Sequence, residues 1–148
     1  MPLAARFMLR DARLPLRAMN IDSHGDVRRL MVVDDDHDLV DALCEWIELS
    51  SDWTVTRAYG PAEAIAQAGH IAPDAILLDM EMDGFDGFDT ADRLGVATAS
   101  KHPALLALTG NARLCEAASR DARFSAAMLK PTDLAGLLRL LEKVSPIH

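Results

Sequence analysis

The sequence predicts an α/β fold, a doubly wound parallel sheet with helices on both faces. Short apolar runs alternate with stretches of helical period, which is typical of βα units around a sheet that is buried on both sides. Four of the five runs are followed by polar residues of a kind that binds ligands. The chain has 148 residues, half of them apolar, which suits one core of this kind and not two.

Five strands and five helices are predicted in alternation. The strands are Leu30–Val33, Trp53–Thr56, Ala75–Leu78, Ala104–Leu108 and Ala126–Leu129. The helices lie near residues 38–49, 61–69, 87–95, 111–121 and 132–144. Turn and cap residues stand between them: Gly60-Pro61 opens the second helix, Pro73-Asp74 opens the third strand, and Thr132 is placed to cap the last helix.

Residues 1–26 precede the first strand as an N-terminal extension, and the domain itself is predicted over 27–148. The extension is interpreted either as a short amphipathic helix or as a mobile tail. Its four arginines interrupt the apolar residues that a signal peptide or membrane span would need, so a soluble, cytoplasmic protein is expected.

Charge argues against nucleic-acid binding. Residues 27–148 carry 11 Lys and Arg against 20 Asp and Glu, and no basic stripe is present. Cys44 and Cys115 lack the spacing of a zinc site or a disulfide framework, and both are interpreted as core or helix residues.

Candidate functional residues follow the apolar runs, because open parallel sheets bind ligands outside the carboxyl ends of their strands. They are Asp34, Asp35 and Asp36 after the first run, Asp79 after the third, Thr109 and Gly110 after the fourth, and Lys130 and Pro131 after the fifth. Each one alone is more often a turn or cap residue. The whole set in this order favours a site for phosphoryl transfer.

The chemistry of these side chains is coherent. Neighbouring carboxylates repel one another unless a cation is present, and Mg²⁺ suits carboxylates, water and a phosphate oxygen. Asp79 stands alone after the central run and is the candidate nucleophile, because a carboxylate can form an acyl phosphate. Thr109 and Lys130 would then contact the oxygens of the transferring group. Lys130-Pro131 is a candidate cis peptide.

These motifs resemble those of the receiver domain of bacterial two-component response regulators, from about Arg28 to Val144. The matching segments are Met31–Asp36 (MVVDDD), Ile76–Asp79 (ILLD), Gly84–Gly87 (GFDG), Leu108–Gly110 (LTG) and Leu129–Pro131 (LKP). The resemblance implies a flavodoxin-like three-layer sandwich with the strand order 2-1-3-4-5.

The resemblance also implies roles for individual residues. Asp79 would be phosphorylated, and Mg²⁺ would be held by Asp34, Asp35, Asp79 and the backbone carbonyl of Glu81. The Glu81 side chain would face the attacking water, and Asn111 would flank the phosphoryl group. A sensor histidine kinase or phosphotransfer protein would be the phosphodonor.

Three positions depart from the family pattern. Asp83 and His37 stand where proline is common, and Ala127 replaces the aromatic switch residue expected three positions before Lys130. The usual coupling between the threonine and an aromatic side chain is therefore not expected here.

Output is expected through a downstream protein target, because no output domain follows Val144 in this sequence. Apolar residues beyond the core stripe of the last helix, among them Leu140 and Ala135, indicate either a homodimer face or a wider buried face.

Three alternatives stay open at this point. One is a receiver-like interaction module that is never phosphorylated. Another is an aspartyl-nucleophile phosphatase, although such enzymes need an aspartate where this chain has Glu81. The third is a flavodoxin-like cofactor binder, although three acidic residues after the first strand would repel a phosphate.

Overall fold

The computed structural model describes residues 27–130 and 133–144. These residues form five strands and five helices in alternation. The strands are β1 (Arg29–Val33), β2 (Thr54–Ala58), β3 (Ala75–Asp79), β4 (Ala104–Thr109) and β5 (Ala126–Leu129). The helices are α1 (His37–Ser50), α2 (Pro61–Ile71), α3 (Gly87–Ala97), α4 (Ala112–Ser119) and α5 (Leu134–Lys143). All pairings are parallel, and the order β2-β1-β3-β4-β5 confirms the predicted sheet.

The sheet divides the hydrophobic core in two, because successive side chains of a strand point to opposite faces. On one face, strand residues pack with α1 and α5; they include Leu30, Val32, Leu77 and Leu106. On the other face, strand residues pack with α2, α3 and α4; they include Met31, Val33, Ile76 and Leu78. Both faces are thus covered, which explains why the central strands are continuously apolar.

Polar side chains start three of the helices. Asp36, Asp86 and Asn111 are the N-caps of α1, α3 and α4, and each accepts a hydrogen bond from a backbone N–H of the first turn. These caps fix where the loops after β1, β3 and β4 end. They therefore limit how far the residues at the carboxyl edge of the sheet can move.

Several predicted boundaries need correction. The second strand begins at Thr54 rather than Trp53 and runs to Ala58. Trp53 is buried against the α1 face just before the strand, so its apolar character reflects burial rather than sheet pairing. The fourth helix ends at Ser119, two residues early. The last helix begins at Leu134 with Asp133 in the N-cap position, so the expected cap at Thr132 is misplaced.

Of the two apolar residues beyond the core stripe of α5, Leu140 packs against the hydrophobic core. Leu137 and Leu141 are fully buried, and Leu134, Leu138 and Leu140 are partly buried against the same cluster, whereas Ala135 is exposed. Among the described residues, no helix is long and apolar enough to cross a membrane. The predictions for residues 1–26 and for the Lys130-Pro131 peptide lie outside the described residues.

Candidate functional site

The carboxyl ends of four adjacent strands bring the predicted polar residues together. Asp34 directly follows β1, Asp79 ends β3, Thr109 ends β4 and Lys130 directly follows β5. Since β1, β3, β4 and β5 are neighbours and parallel, these four residues lie along one edge of the sheet. The sequence prediction of convergence is confirmed.

Three carboxylates form the centre of this edge. One oxygen from each of Asp34, Asp35 and Asp79 lies within 4.8 Å of the others. Asp34 and Asp79 are buried, with 3% and 4% of their surface exposed, whereas Asp35 is open to solvent. The cluster therefore has two buried carboxylates, Asp34 and Asp79, and one exposed carboxylate, Asp35, that a solute can reach.

Lys130 is the cation that lies against the two buried carboxylates. Its Nζ is 3.1 Å from an Asp34 oxygen and 3.4 Å from an Asp79 oxygen. The lysine is held at its backbone as well, because its N–H donates to the carbonyl of Thr109 at 2.7 Å. Burial alone would lower the pKa of Lys130, but its hydrogen bond and charge interaction with Asp34, together with Asp79, raise it. The side chain is thus a fixed ammonium.

Asp79 has a raised pKa of about 6. Burial is the main cause, and the nearby charge of Asp34 adds to it. The N–H of Glu81, which donates to Asp79 at 3.2 Å, and the ammonium of Lys130 act in the opposite direction. In the described structure, the Glu81 N–H and the Lys130 ammonium therefore offset only part of the effect of burial on the Asp79 carboxylate.

The donor set fits a hard divalent cation. Within residues 27–130 and 133–144, three carboxylates face the ammonium of Lys130, so this part of the site carries an excess of negative charge, and the carboxylate ligand atoms are all oxygens. Mg²⁺ is bound in proteins by a few carboxylates together with water and substrate oxygens. Burial is the main cause of the raised pKa of Asp79, and the charge of Asp34 adds to it, so a cation beside these carboxylates would oppose the shift.

Thr109 closes the other side of the site. It is fully buried, and its hydroxyl donates a hydrogen bond to a side-chain oxygen of Glu81. The same hydroxyl oxygen accepts a hydrogen bond from the N–H of Asn111 at 3.1 Å. The side-chain oxygen of Asn111 is turned the other way and accepts from Arg113 and Leu114 at the start of α4.

Two further contacts, at Asp83 and Gly87, hold the loop between β3 and α3 near the site. The N–H of Asp83 donates to Asp35 at 3.1 Å, which links this loop to the loop after β1. Gly87, the first residue of α3, approaches Met80 so closely that a Cβ at Gly87 would lie 2.8 Å from the Cα of Met80. Because residue 83 is aspartate rather than proline, its backbone N–H is available for the hydrogen bond to Asp35.

Sequence reasoning missed two of these contacts. The Glu81 side chain accepts the hydroxyl proton of Thr109, and the role expected for it towards an attacking water stays a prediction. The side-chain oxygen of Asn111 caps α4, and its expected place beside the phosphoryl group stays a prediction. The cap had a sequence signal, since Asn directly before a helix is a preferred N-cap. The Glu81 contact had none, because it depends on the path of the loop after β3.

Comparison with known proteins supports the family resemblance that the sequence motifs indicated. A family model described as "Response regulator receiver domain" matches residues 30–142. The transcriptional regulatory protein PrrA of Mycobacterium leprae is 39% identical over 66 residues, which is 45% of this chain and only 28% of PrrA.

Two solved structures show the same fold. A CheY-like receiver domain protein from Methanospirillum hungatei JF-1 has a TM-score of 0.70 at 22% identity, with 80% of this chain and 94% of that one covered. TrrA from Thermotoga maritima, solved in complex with Mg²⁺-BeF, has a TM-score of 0.69 at 21% identity, with 80% and 99% covered.

Proposed function

The chain belongs to the response regulator receiver family, and from that premise we propose that it is the phosphoacceptor of a two-component pathway, phosphorylated on Asp79 with Mg²⁺ as cofactor. In this role it is a signalling switch rather than an enzyme with a substrate of its own. A cytoplasmic location and output through contacts with a downstream protein are part of the proposal.

One observation carries the proposal. A buried carboxylate at the end of the central strand, Asp79, lies close to two further carboxylates and to the ammonium of Lys130. A structural ion pair would need only one carboxylate for one lysine. The surplus of carboxylates is what a divalent cation and a phosphoryl group together would use.

The phosphoryl transfer itself needs little more than correct placement. An oxygen of Asp79 attacks the phosphorus of the donor, and the bond from phosphorus to the donor's leaving group breaks with its electron pair. Negative charge on the equatorial oxygens is then met by the ammonium of Lys130 and the hydroxyl of Thr109. Asp34, Asp35, Asp79 and the Glu81 carbonyl would hold Mg²⁺, which would supply further positive charge to the phosphoryl oxygens.

The donor class follows from the family. We propose a sensor histidine kinase or a phosphotransfer protein as the partner, whose phosphohistidine would reach Asp79 from the open side of the site. Asp35 is exposed there, so this side of the carboxylate cluster is open to a docked donor. A homodimer stays a prediction, which sedimentation with and without a phosphodonor would test.

The primary experiment is labelling by acetyl phosphate with Mg²⁺, read by intact mass spectrometry. Wild type should gain one phosphoryl group, and Asp79→Asn should gain none. Asp36→Asn is the matched control: Asp36 is exposed, it caps α1, and asparagine caps equally well, so labelling and folding should both persist. Stoichiometric labelling of Asp79→Asn would refute the assignment.

The metal ligands have a separate test. By calorimetry, Asp35→Ala should weaken Mg²⁺ binding by on the order of tenfold or more, because a charged ligand contributes more than about 1.4 kcal/mol. Asp36→Ala should cost about 1 kcal/mol of stability through its lost cap but leave Mg²⁺ binding nearly unchanged. Equal losses of affinity would show that the ligands are wrongly assigned.

The alternatives predict different outcomes of the labelling experiment. A receiver-like interaction module would give no adduct, and an aspartyl-nucleophile phosphatase would turn acetyl phosphate over without accumulating one. The phosphatase alternative needs a general acid two residues after Asp79, and the Glu81 carboxylate there is engaged with Thr109.

A further inference from the structure

The hydroxyl of Thr109 is fully committed in the described structure. A threonine hydroxyl has a single proton to donate. Thr109 donates that proton to the carboxylate of Glu81, and its oxygen accepts the N–H of Asn111. Thr109 is also completely buried, so water does not compete for the hydroxyl.

We propose that Glu81 is a positioning residue that restrains Thr109 before phosphorylation, so that the phosphoryl group on Asp79 must displace the Glu81 carboxylate to receive the Thr109 proton. The inference rests on the proposed function, in which Thr109 donates to a phosphoryl oxygen. It assigns the Glu81 side chain a role in setting how readily the phosphorylated state forms.

The competition follows from donor number and charge. Two anionic acceptors, the Glu81 carboxylate and the phosphoryl group, would compete for the single proton of the Thr109 hydroxyl. Hydrogen bonds to charged acceptors are stronger than those between neutral groups, so the bond to Glu81 is a real restraint. It can nevertheless be exchanged, because Glu81 is exposed and its carboxylate is rehydrated once released.

Geometry explains why Glu81 can do this. β3 and β4 are neighbours in the sheet, and their pairing continues past Asp79, since the N–H of Met80 donates to the carbonyl of Leu108 at 2.9 Å. The chain after Asp79 therefore passes close to the end of β4, where Thr109 stands. Thr109 is thus within reach of both the Asp79 site and the Glu81 side chain.

Three variants separate the hydrogen bond from simple charge. Glu81→Ala removes both the acceptor and the charge, Glu81→Gln keeps an acceptor and removes the charge, and Asp83→Asn removes a neighbouring charge without touching Thr109. The N–H of Asp83 that bonds to Asp35 is a backbone group and is kept in that variant. Both positions are exposed, so the fold should tolerate the changes.

The first measurement needs no phosphodonor. In the unligated protein, three-bond couplings report the side-chain rotamer of Thr109, and amide exchange reports the N–H of Asn111. Wild type, Glu81→Gln and Asp83→Asn should show one rotamer and a protected amide. Glu81→Ala should show averaged couplings and faster exchange. Unchanged couplings and exchange in Glu81→Ala would overturn the inference.

The second measurement is the affinity for beryllofluoride with Mg²⁺, a mimic of the phosphoryl group. Glu81→Ala should bind it up to about tenfold more tightly than wild type, as expected for release of one charge-assisted hydrogen bond. Glu81→Gln should gain less. In a Thr109→Val background, Glu81→Ala should gain no more than Asp83→Asn does. Equal gains for Ala and Gln would mean that charge alone acts, which would refute the competition.

The two measurements also separate this inference from the proposed function. If wild type failed to bind beryllofluoride at all, the phosphoacceptor proposal would fail. The Thr109 couplings would then decide alone whether Glu81 positions the hydroxyl. If wild type binds and the variants do not differ, the phosphoacceptor proposal stands and the role of Glu81 is refuted.

Discussion

Replacing Gly87 by alanine should destabilise the fold, although alanine normally favours helices. Gly87 is buried at the start of α3, and a Cβ there would lie 2.7 Å from the Cε and Sδ of Met80 and 2.8 Å from its Cα. The side-chain atoms could swing away, but the Cα belongs to the backbone next to Asp79. Overpacking of this kind costs roughly 1–3 kcal/mol, against a helix-propensity gain of at most about 1 kcal/mol.

The control lies in the same helix. Gly95 is exposed, and a Cβ there would meet nothing within 4 Å. Gly95→Ala should therefore stabilise by about 0.5–1 kcal/mol through helix propensity and a less flexible unfolded chain. Urea unfolding of the three proteins should separate the two variants by about 2 kcal/mol with similar m-values.

The reasoning would be refuted if Gly87→Ala proved as stable as Gly95→Ala. That result would mean that α3 moves away from β3 at little cost, and hence that the loop after Asp79 is not held by this contact. A destabilised Gly87→Ala should also label more slowly with acetyl phosphate at a temperature where it is folded. The reason is that Met80, which must shift, directly follows Asp79.

Two further predictions concern the scaffold. Burial raises the pKa of Cys44 to about 12, so a thiol reagent at pH 8 should modify half-buried Cys115 first and Cys44 only on unfolding; equal rates would contradict the predicted burial. Asp74→Ala should cost about 2 kcal/mol in urea unfolding, because the buried Asp74 carboxylate accepts the N–H of Arg29 at 2.8 Å. Asp89→Ala, which breaks only an exposed ion pair, should cost under about 1 kcal/mol, and similar losses for both would be evidence against the Asp74 bond.

The fold was predictable because the burial of a parallel sheet is evident in the amino-acid sequence of its strands. Strands covered on both faces are continuously apolar, and each apolar run corresponded to a strand within one or two residues. The main error concerned the bounds of the second strand, which was predicted to begin at Trp53 and is an edge strand. β2 has a neighbour on one side only, and its residues Thr56 and Arg57 are half-buried, so polarity no longer marks its end.

The sequence predicted which residues lie together at the candidate site, but not which of their groups are bonded to one another. Strand order places Asp34, Asp79, Thr109 and Lys130 at one edge whatever the loops do. Which group pairs with which depends on loop paths of a few ångströms. The Glu81 side chain illustrates this, because spacing from Asp79 sets its distance along the chain but not the direction in which it turns.

Phosphorylation should be transmitted through the start of α4 rather than by an aromatic side chain. Ala127 stands at the expected switch position, and a methyl group has no alternative rotamers. The structure offers another connection: the oxygen of Thr109 accepts the N–H of Asn111, and the Asn111 side chain caps α4 by accepting the N–H groups of Arg113 and Leu114. If Thr109 turns towards a phosphoryl group, the N–H of Asn111 loses its acceptor and the cap is disturbed, which shifts the loop between pre-existing conformations. Beryllofluoride with Mg²⁺ should therefore change hydrogen exchange from residue 110 to residue 114, with little change in α5. Changes confined to α5, with an indifferent loop, would rule out this route.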